Sequence, residues 1–149
     1  MAHMGGSESA EIEAPVDEVW ALVEDVAIAP DWQGGLVAIT PLERDPEGRP
    51  TLVESESDVK VRRVKTRVRF SYEPPTRLSW TQEKGDLKSV EGSWTLEDLG
   101  DGRTRATYAL DSDPGRVLGM LLRGPVEAAV MAMLVNARPG ELKARVESG

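Results

Sequence analysis

The chain has 149 residues, no cysteine and a formal net charge of −8 at pH 7. That length suits one domain, able to bury roughly 70% of its unfolded surface without metals or disulfides. The missing thiols exclude disulfide frameworks and thiolate chemistry, and the acidic balance argues against nucleic acid as a general partner.

Met1-Ala2-His3-Met4 reads as an expression-vector remnant, and Met1 to Gly6 are expected to be disordered. His3 is the single histidine, so an imidazole base, a hydrolase triad or a histidine-ligated metal is not expected. From Ser7 to Ala14 the residues alternate as in a strand. Pro15 then suits a helix's first turn, Asp17 and Glu18 suit its positive end, and Val19, Trp20, Leu22, Val23 and Val26 form an apolar stripe. This predicts a helix from Pro15 to about Glu24, a further helical turn over Ala27–Trp32, and a stop at Gly34-Gly35.

Six more strands follow, set apart by turn residues: Leu36–Leu42, Thr51–Val59, Val61–Tyr72, Arg77–Glu83, Leu87–Leu99 and Arg103–Leu110. Their short links make the sheet mostly antiparallel. After Asp113-Pro114-Gly115 the apolar period becomes helical, with Leu118, Leu122, Val126, Val130, Met133, Leu134 and Ala137 on one face. Pro139 should kink or break this helix, and Leu142 and Val146 carry the stripe onward. The longest apolar run, Ala128 to Val135, falls well short of the about 20 residues a membrane-spanning helix needs, so the expected location is cytoplasmic.

Three segments carry a family resemblance: Glu11-Ile12-Glu13-Ala14-Pro15-Val16-Asp17-Glu18-Val19-Trp20 with Asp25 and Trp32, Tyr72 to Trp80, and Gly92 to Leu96 with the hairpin Gly100 to Tyr108. Together with the element order they resemble the START-like (SRPBCC) superfamily, and within it the polyketide cyclase/dehydrase and lipid-transport group. The resemblance implies an α+β helix-grip fold over residues 7–147: a seven-stranded curved antiparallel sheet wrapped around a long C-terminal helix, with two short helices after the first strand. It implies a cavity between sheet and helix, and no cofactor. Members include aromatase/cyclases as well as lipid and quinone carriers.

Alternation assigns the residues that face the helix. Val64, Thr66, Val68, Phe70 and Tyr72 point inward on one strand, with Ser55 and Ser57, Trp80 and Gln82, Trp94, and Tyr108 on others. The helix adds Met133. The candidate ligand-binding residues are therefore Trp32, Ser55, Thr66, Tyr72, Trp80, Gln82, Trp94, Tyr108 and Met133, each also an ordinary choice for core packing. Hydroxyls and amides among apolar walls suit an apolar small molecule held by a few hydrogen bonds. No Asp, Glu, Lys or Arg falls clearly on that face, which favours binding over acid–base catalysis.

The cations Arg63, Lys65, Arg67 and Arg69 recur at every second position, so they form a strand's outer face opposite Glu54, Glu56 and Asp58. Apolar parity slips between Val61 and Val64, implying a bulge or a turn; a bulge there would re-aim Arg62 or Arg63 into the cavity. The preferred reading is a carrier or sensor of a polyketide, lipid or quinone. The alternative is an aromatase/cyclase in which Tyr72, Tyr108, Thr66 and Arg69 polarise carbonyls. A third class rests on Val117 to Leu122, an apolar stretch able to touch a membrane or a partner transiently. Oligomeric state stays open.

Overall fold

The computed structural model describes residues 4–148; Met1 to His3 and Gly149 lie outside the described residues. Seven strands run in chain order: β1 (Met4–Ile12), β2 (Leu36–Arg44), β3 (Pro50–Asp58), β4 (Arg63–Glu73), β5 (Arg77–Gly85), β6 (Ser89–Gly100) and β7 (Arg103–Asp113). They form one sheet ordered β1-β7-β6-β5-β4-β3-β2, with every neighbouring pair antiparallel. Helix α1 (Val16–Glu24) and a 3₁₀ turn (Val26–Asp31) link β1 to β2, as the acidic first turn and apolar stripe predict.

The strand parity predicted for β4 holds. Val64, Thr66 and Val68 are buried, while Arg63, Lys65 and Arg69 are exposed. Arg63 pairs with Glu56 at 3.3 Å, and Arg69 bonds Glu83 and pairs with Glu43 at 3.3 Å. The parity slip is a turn, not a bulge. Asp58 ends β3, Lys60 adopts a φ of 76°, and β4 restarts at Arg63. Arg62 and Arg63 stay on the surface, 53% and 62% exposed, so no cation enters from this turn. Arg69 also faces outward, which removes it as a carbonyl-polarising group.

Two expectations are corrected. Met4 to Gly6 are ordered strand: they continue β1 along β7, with Met4 opposite Ser112, and Met4 is buried at 6% exposure. The backbone donors of β7 extend that far, and Met4 fills an apolar cluster with Val59, Val64, Leu118, Leu122 and Val130. The C-terminal helix is also less uniform than its stripe implies. A separate short helix α2 (Arg116–Leu121) lies between Gly115 and Gly124, both at positive φ. The long helical run then comprises α3 (Pro125–Met131), a π-helical turn (Ala132–Asn136) and α4 (Arg138–Ser148).

Pro139 explains the π turn. Its missing N–H would leave a gap in a regular ladder. Widening the preceding turn re-pairs the backbone: Ala137 N–H bonds Ala132 C=O at 3.0 Å, and Glu141 N–H bonds Ala137 C=O at 3.0 Å. The helix is re-phased rather than broken. The main core lies between sheet, α1 and α4, where Ile12, Val19, Val53, Trp94, Val135 and Leu142 are 2% exposed or less. The outer strands differ in finish. Strand β2 carries Pro41 and three register shifts against β3, while Lys143 Nζ bonds Glu11 C=O on β1 at 2.7 Å.

Candidate functional site

Between the sheet and the helical run lies a cavity of about 160 Å³. A cavity near 150 Å³ lined by apolar side chains holds a benzene-sized molecule, so this one suits one or two rings without rearrangement. Its wall is mainly apolar: Val26, Ile39, Val64, Phe70, Val90 and Leu134 are representative. Aromatic rings form one continuous side. Phe70 lies 5.6 Å from Trp80, Trp80 5.7 Å from Tyr108, Tyr108 4.9 Å from Trp94, and Trp94 6.3 Å from Trp32, centroid to centroid. These are the tilted and edge-to-face arrangements that aromatic rings prefer. Gly92 makes room for this wall, since a Cβ there would sit 2.3 Å from Trp80 Cε2.

Six of the nine predicted residues line the cavity: Trp32, Ser55, Thr66, Trp80, Trp94 and Tyr108. Ser55 and Thr66, opposite each other on β3 and β4, largely satisfy one another through a hydroxyl bond of 2.7 Å. The remaining three stand outside the wall. Tyr72 faces inward at the far end of β4, where its hydroxyl donates to Pro50 C=O and its ring lies under the Arg49 guanidinium at 4.7 Å. Gln82 turns its amide to Leu87 C=O at 2.9 Å. Met133 packs its Sδ and Cε against Gly35 on the other side of the π turn. Met131 and Leu134 are the helical residues that flank it on the wall, Leu134 as the apolar stripe predicts.

The helical run also contributes a residue that strand alternation does not assign. Val130, Leu134 and Arg138 follow each other at intervals of four, wider than the 3.6 of an α-helix, and all three line the cavity. Arg138 is 3% exposed. Its Nη1 donates to Glu141 Oε1 at 2.8 Å and to Gly34 C=O at 2.9 Å, while Gly34 N–H donates to Glu141 Oε2 at 2.8 Å. Both halves of this clamp hold the loop that follows Trp32. The guanidinium also lies 5.8 Å from the Tyr108 ring centroid. The available signal in the sequence was Pro139, read together with an arginine immediately before it.

The donors are not fully used. Arg138 Nε and Trp32 Nε1 are both buried without a hydrogen-bond partner. A buried N–H left unpaired costs about 1–3 kcal/mol, so an acceptor oxygen brought to either donor recovers that energy. The Glu141 carboxylate already offsets the Arg138 charge, which suits a neutral oxygen better than a second anion.

Burial pushes the Tyr108 phenol above its usual range, with the Arg138 guanidinium opposing the shift, and burial likewise raises Tyr72. An unfolded chain ionises tyrosine near pH 10. These two groups therefore contribute stability that is fully present below that pH and is lost as pH climbs toward their folded values. Because the chain has only these 2 tyrosines, tyrosinate absorbance should stay flat through the pH of about 10 where free tyrosine ionises and rise only together with loss of near-UV circular dichroism. A gradual rise centred near pH 10 with the fold intact would show that water reaches both hydroxyls.

A family model described as polyketide cyclase/dehydrase and lipid transport matches residues 12–137. A START superfamily protein from Mycobacterium smegmatis is similar in structure, with a TM-score of 0.82, 19% identity and coverage of 99% of each chain. The Zhui aromatase/cyclase from Streptomyces sp. R1128 gives a TM-score of 0.80 at 18% identity, covering 98% of this chain and 94% of its own. A protein from Thermus thermophilus gives 0.80 at 18% identity, covering 99% and 98%. At such identities the likeness is one of fold. Comparison with curated proteins gives no match.

Proposed function

Because the chain belongs to the polyketide cyclase/dehydrase and lipid transport family, we propose that it binds an apolar, ring-containing small molecule through a neutral carbonyl oxygen. The observation that supports this reading is the pair of buried, unpartnered N–H groups, Arg138 Nε and Trp32 Nε1, on two residues of a wall that is mainly apolar and aromatic but also holds Asp25 and several hydroxyls. The aromatic side would take the ring by stacking, and the donors would fix which end carries oxygen. Polyketide and quinone ligands both have this chemistry. Trp32, Trp80, Trp94, Tyr108 and Arg138 would make the decisive contacts, with Ser55 and Thr66 adding polarity.

Matched probes test it. 1-Tetralone and tetralin share one bicyclic frame, small enough for the cavity, and differ by a carbonyl. Titrated by tryptophan fluorescence and native mass spectrometry, tetralone should bind about tenfold more tightly or better. Equal affinity for the two would remove the carbonyl from the reading, and tighter binding of 1-naphthoate would replace it with an anion. No binding of any of them would end the reading.

One observation favours a catalytic variant. A guanidinium buried beside the Tyr108 ring would polarise a carbonyl toward attack, one demand of an aldol closure. Adding the protein to the reactive product of a polyketide synthase should then change the ratio of cyclised products. An unchanged ratio leaves binding alone.

A further inference from the structure

The two ends of the sheet differ in their surface. Among the described residues six large apolar side chains are exposed: Val37, Leu42, Val61, Val117, Met120 and Leu121. Four of them gather at one end. Val117, Met120 and Leu121 lie on α2, exposed by 75%, 60% and 52%, and Val61 sits on the β3–β4 turn at 41%. Beneath them one cluster joins both elements: Val59 and Val64 from the turn, Leu118 and Leu122 from α2 and its end, and Val130 from α3. Val59, Val64, Leu122 and Val130 also line the cavity, so this end roofs it.

The charges at this end differ from those of the chain as a whole. Lys60, Arg116 and Arg123 are exposed and flank the apolar tip; no ion pair involves them among the described residues. The neighbouring acids are mostly committed. Asp58 accepts from Lys60 N–H at 2.8 Å, Asp86 from Lys65 N–H at 2.8 Å with Arg62 at 3.6 Å, and buried Asp113 from Gly115 N–H at 2.9 Å. Glu127, in the first turn of α3, is a further acid close by. A net charge of −8 is spread elsewhere, and at physiological salt charges beyond about 8 Å are largely screened from the tip.

We propose that α2 and the β3–β4 turn form a docking tip for an anionic lipid bilayer, seated with Val61, Val117, Met120 and Leu121 in the acyl boundary and Lys60, Arg116 and Arg123 among the headgroups. Apolar side chains ringed by cations match that interface. A second copy of the chain fits less well. Four side chains cannot supply the roughly 800 Å² per partner of a stable interface, and a two-fold contact would oppose the cations to their own copies. Gly115 and Gly124, both at positive φ and both with open space around them, bracket α2 at its two ends. The docking tip thus adjoins the cavity through Val59 and Leu122, although binding to a bilayer requires no ligand.

Flotation of the ligand-free chain with vesicles tests the proposal. Vesicles of phosphatidylcholine with about 30 mol% phosphatidylserine should capture the chain, and pure phosphatidylcholine or high salt should reduce capture at least about tenfold. Met120→Glu with Leu121→Glu should lower partitioning about tenfold or more. Arg116→Glu with Arg123→Glu should lower it about twentyfold and abolish the preference for phosphatidylserine. Since the chain has no cysteine, Leu121→Cys carrying an environment-sensitive dye gives an independent reading, a blue shift on the anionic vesicles. Absence of that shift, or capture unchanged by the Met120/Leu121 pair, overturns the proposal. So does a dimer in sedimentation velocity that the same pair dissolves while vesicles capture nothing.

Discussion

Arg138→Met should lower stability by about 2–3 kcal/mol and erase the preference for tetralone over tetralin. Removing one partner of a buried ion pair costs about 3–5 kcal/mol when the other charge is stranded. Here Glu141 is 24% exposed and stays within reach of water, which places the cost below that range. For a chain of this length the loss corresponds to a melting temperature lower by roughly 5–10 °C. Glu141→Gln separates the two effects. It weakens the clamp on the Gly34 loop and should cost stability, yet it leaves Arg138 Nε in the wall and should preserve carbonyl preference. Arg138→Lys keeps the charge but not the planar fork, and should lose most of that preference. A methionine variant with unchanged melting and unchanged probe selectivity would sink the role assigned to this side chain.

Trp94→Ala should cost about 3–5 kcal/mol, the range for deleting a buried large aromatic. Trp94 is 2% exposed and touches both Tyr108 and Trp32, so its loss opens the core into the cavity. The void is apolar and ring-shaped. Added indole should therefore bind it and return part of the lost melting temperature, through the mass action of a ligand that binds only the folded chain. Urea unfolding with and without indole measures both quantities. A loss under about 1 kcal/mol, with no recovery on indole, would mean that neighbouring rings collapse into the space.

Much of the architecture was legible because strands and turns write themselves into short-range pattern. The alternation of Val64, Thr66 and Val68 with Arg63, Lys65 and Arg67 placed one face inward from residue type alone. That alternation gives a side, not a depth. Tyr72 faces correctly yet ends beyond the cavity, against Pro50 and Arg49, because the position along a strand where the helix crosses is set by tertiary packing. Gln82 shares the limit: its amide is taken by Leu87 C=O in the turn region.

The helix was harder to read for a different reason. An apolar stripe is projected with one fixed period, and a π turn adds a residue to that count. Met133 stands off the wall, and Arg138, four residues beyond Leu134 and just after the π turn, stands on it. Met4 to Gly6 were misread from composition, since glycines near a chain start resemble a solvated tail. Their order depends on β7 extending far enough to pair with them.

The unclosed sheet leaves two strands with backbone groups facing outward, and such margins can recruit further chains into fibres. On β2 the proline at 41 and the interrupted register offer an incoming strand no straight template. On β1 a lysine from the last helix occupies one of the carbonyls that recruitment would need. Crowding should therefore drive the chain toward reversible contact rather than irreversible stacking.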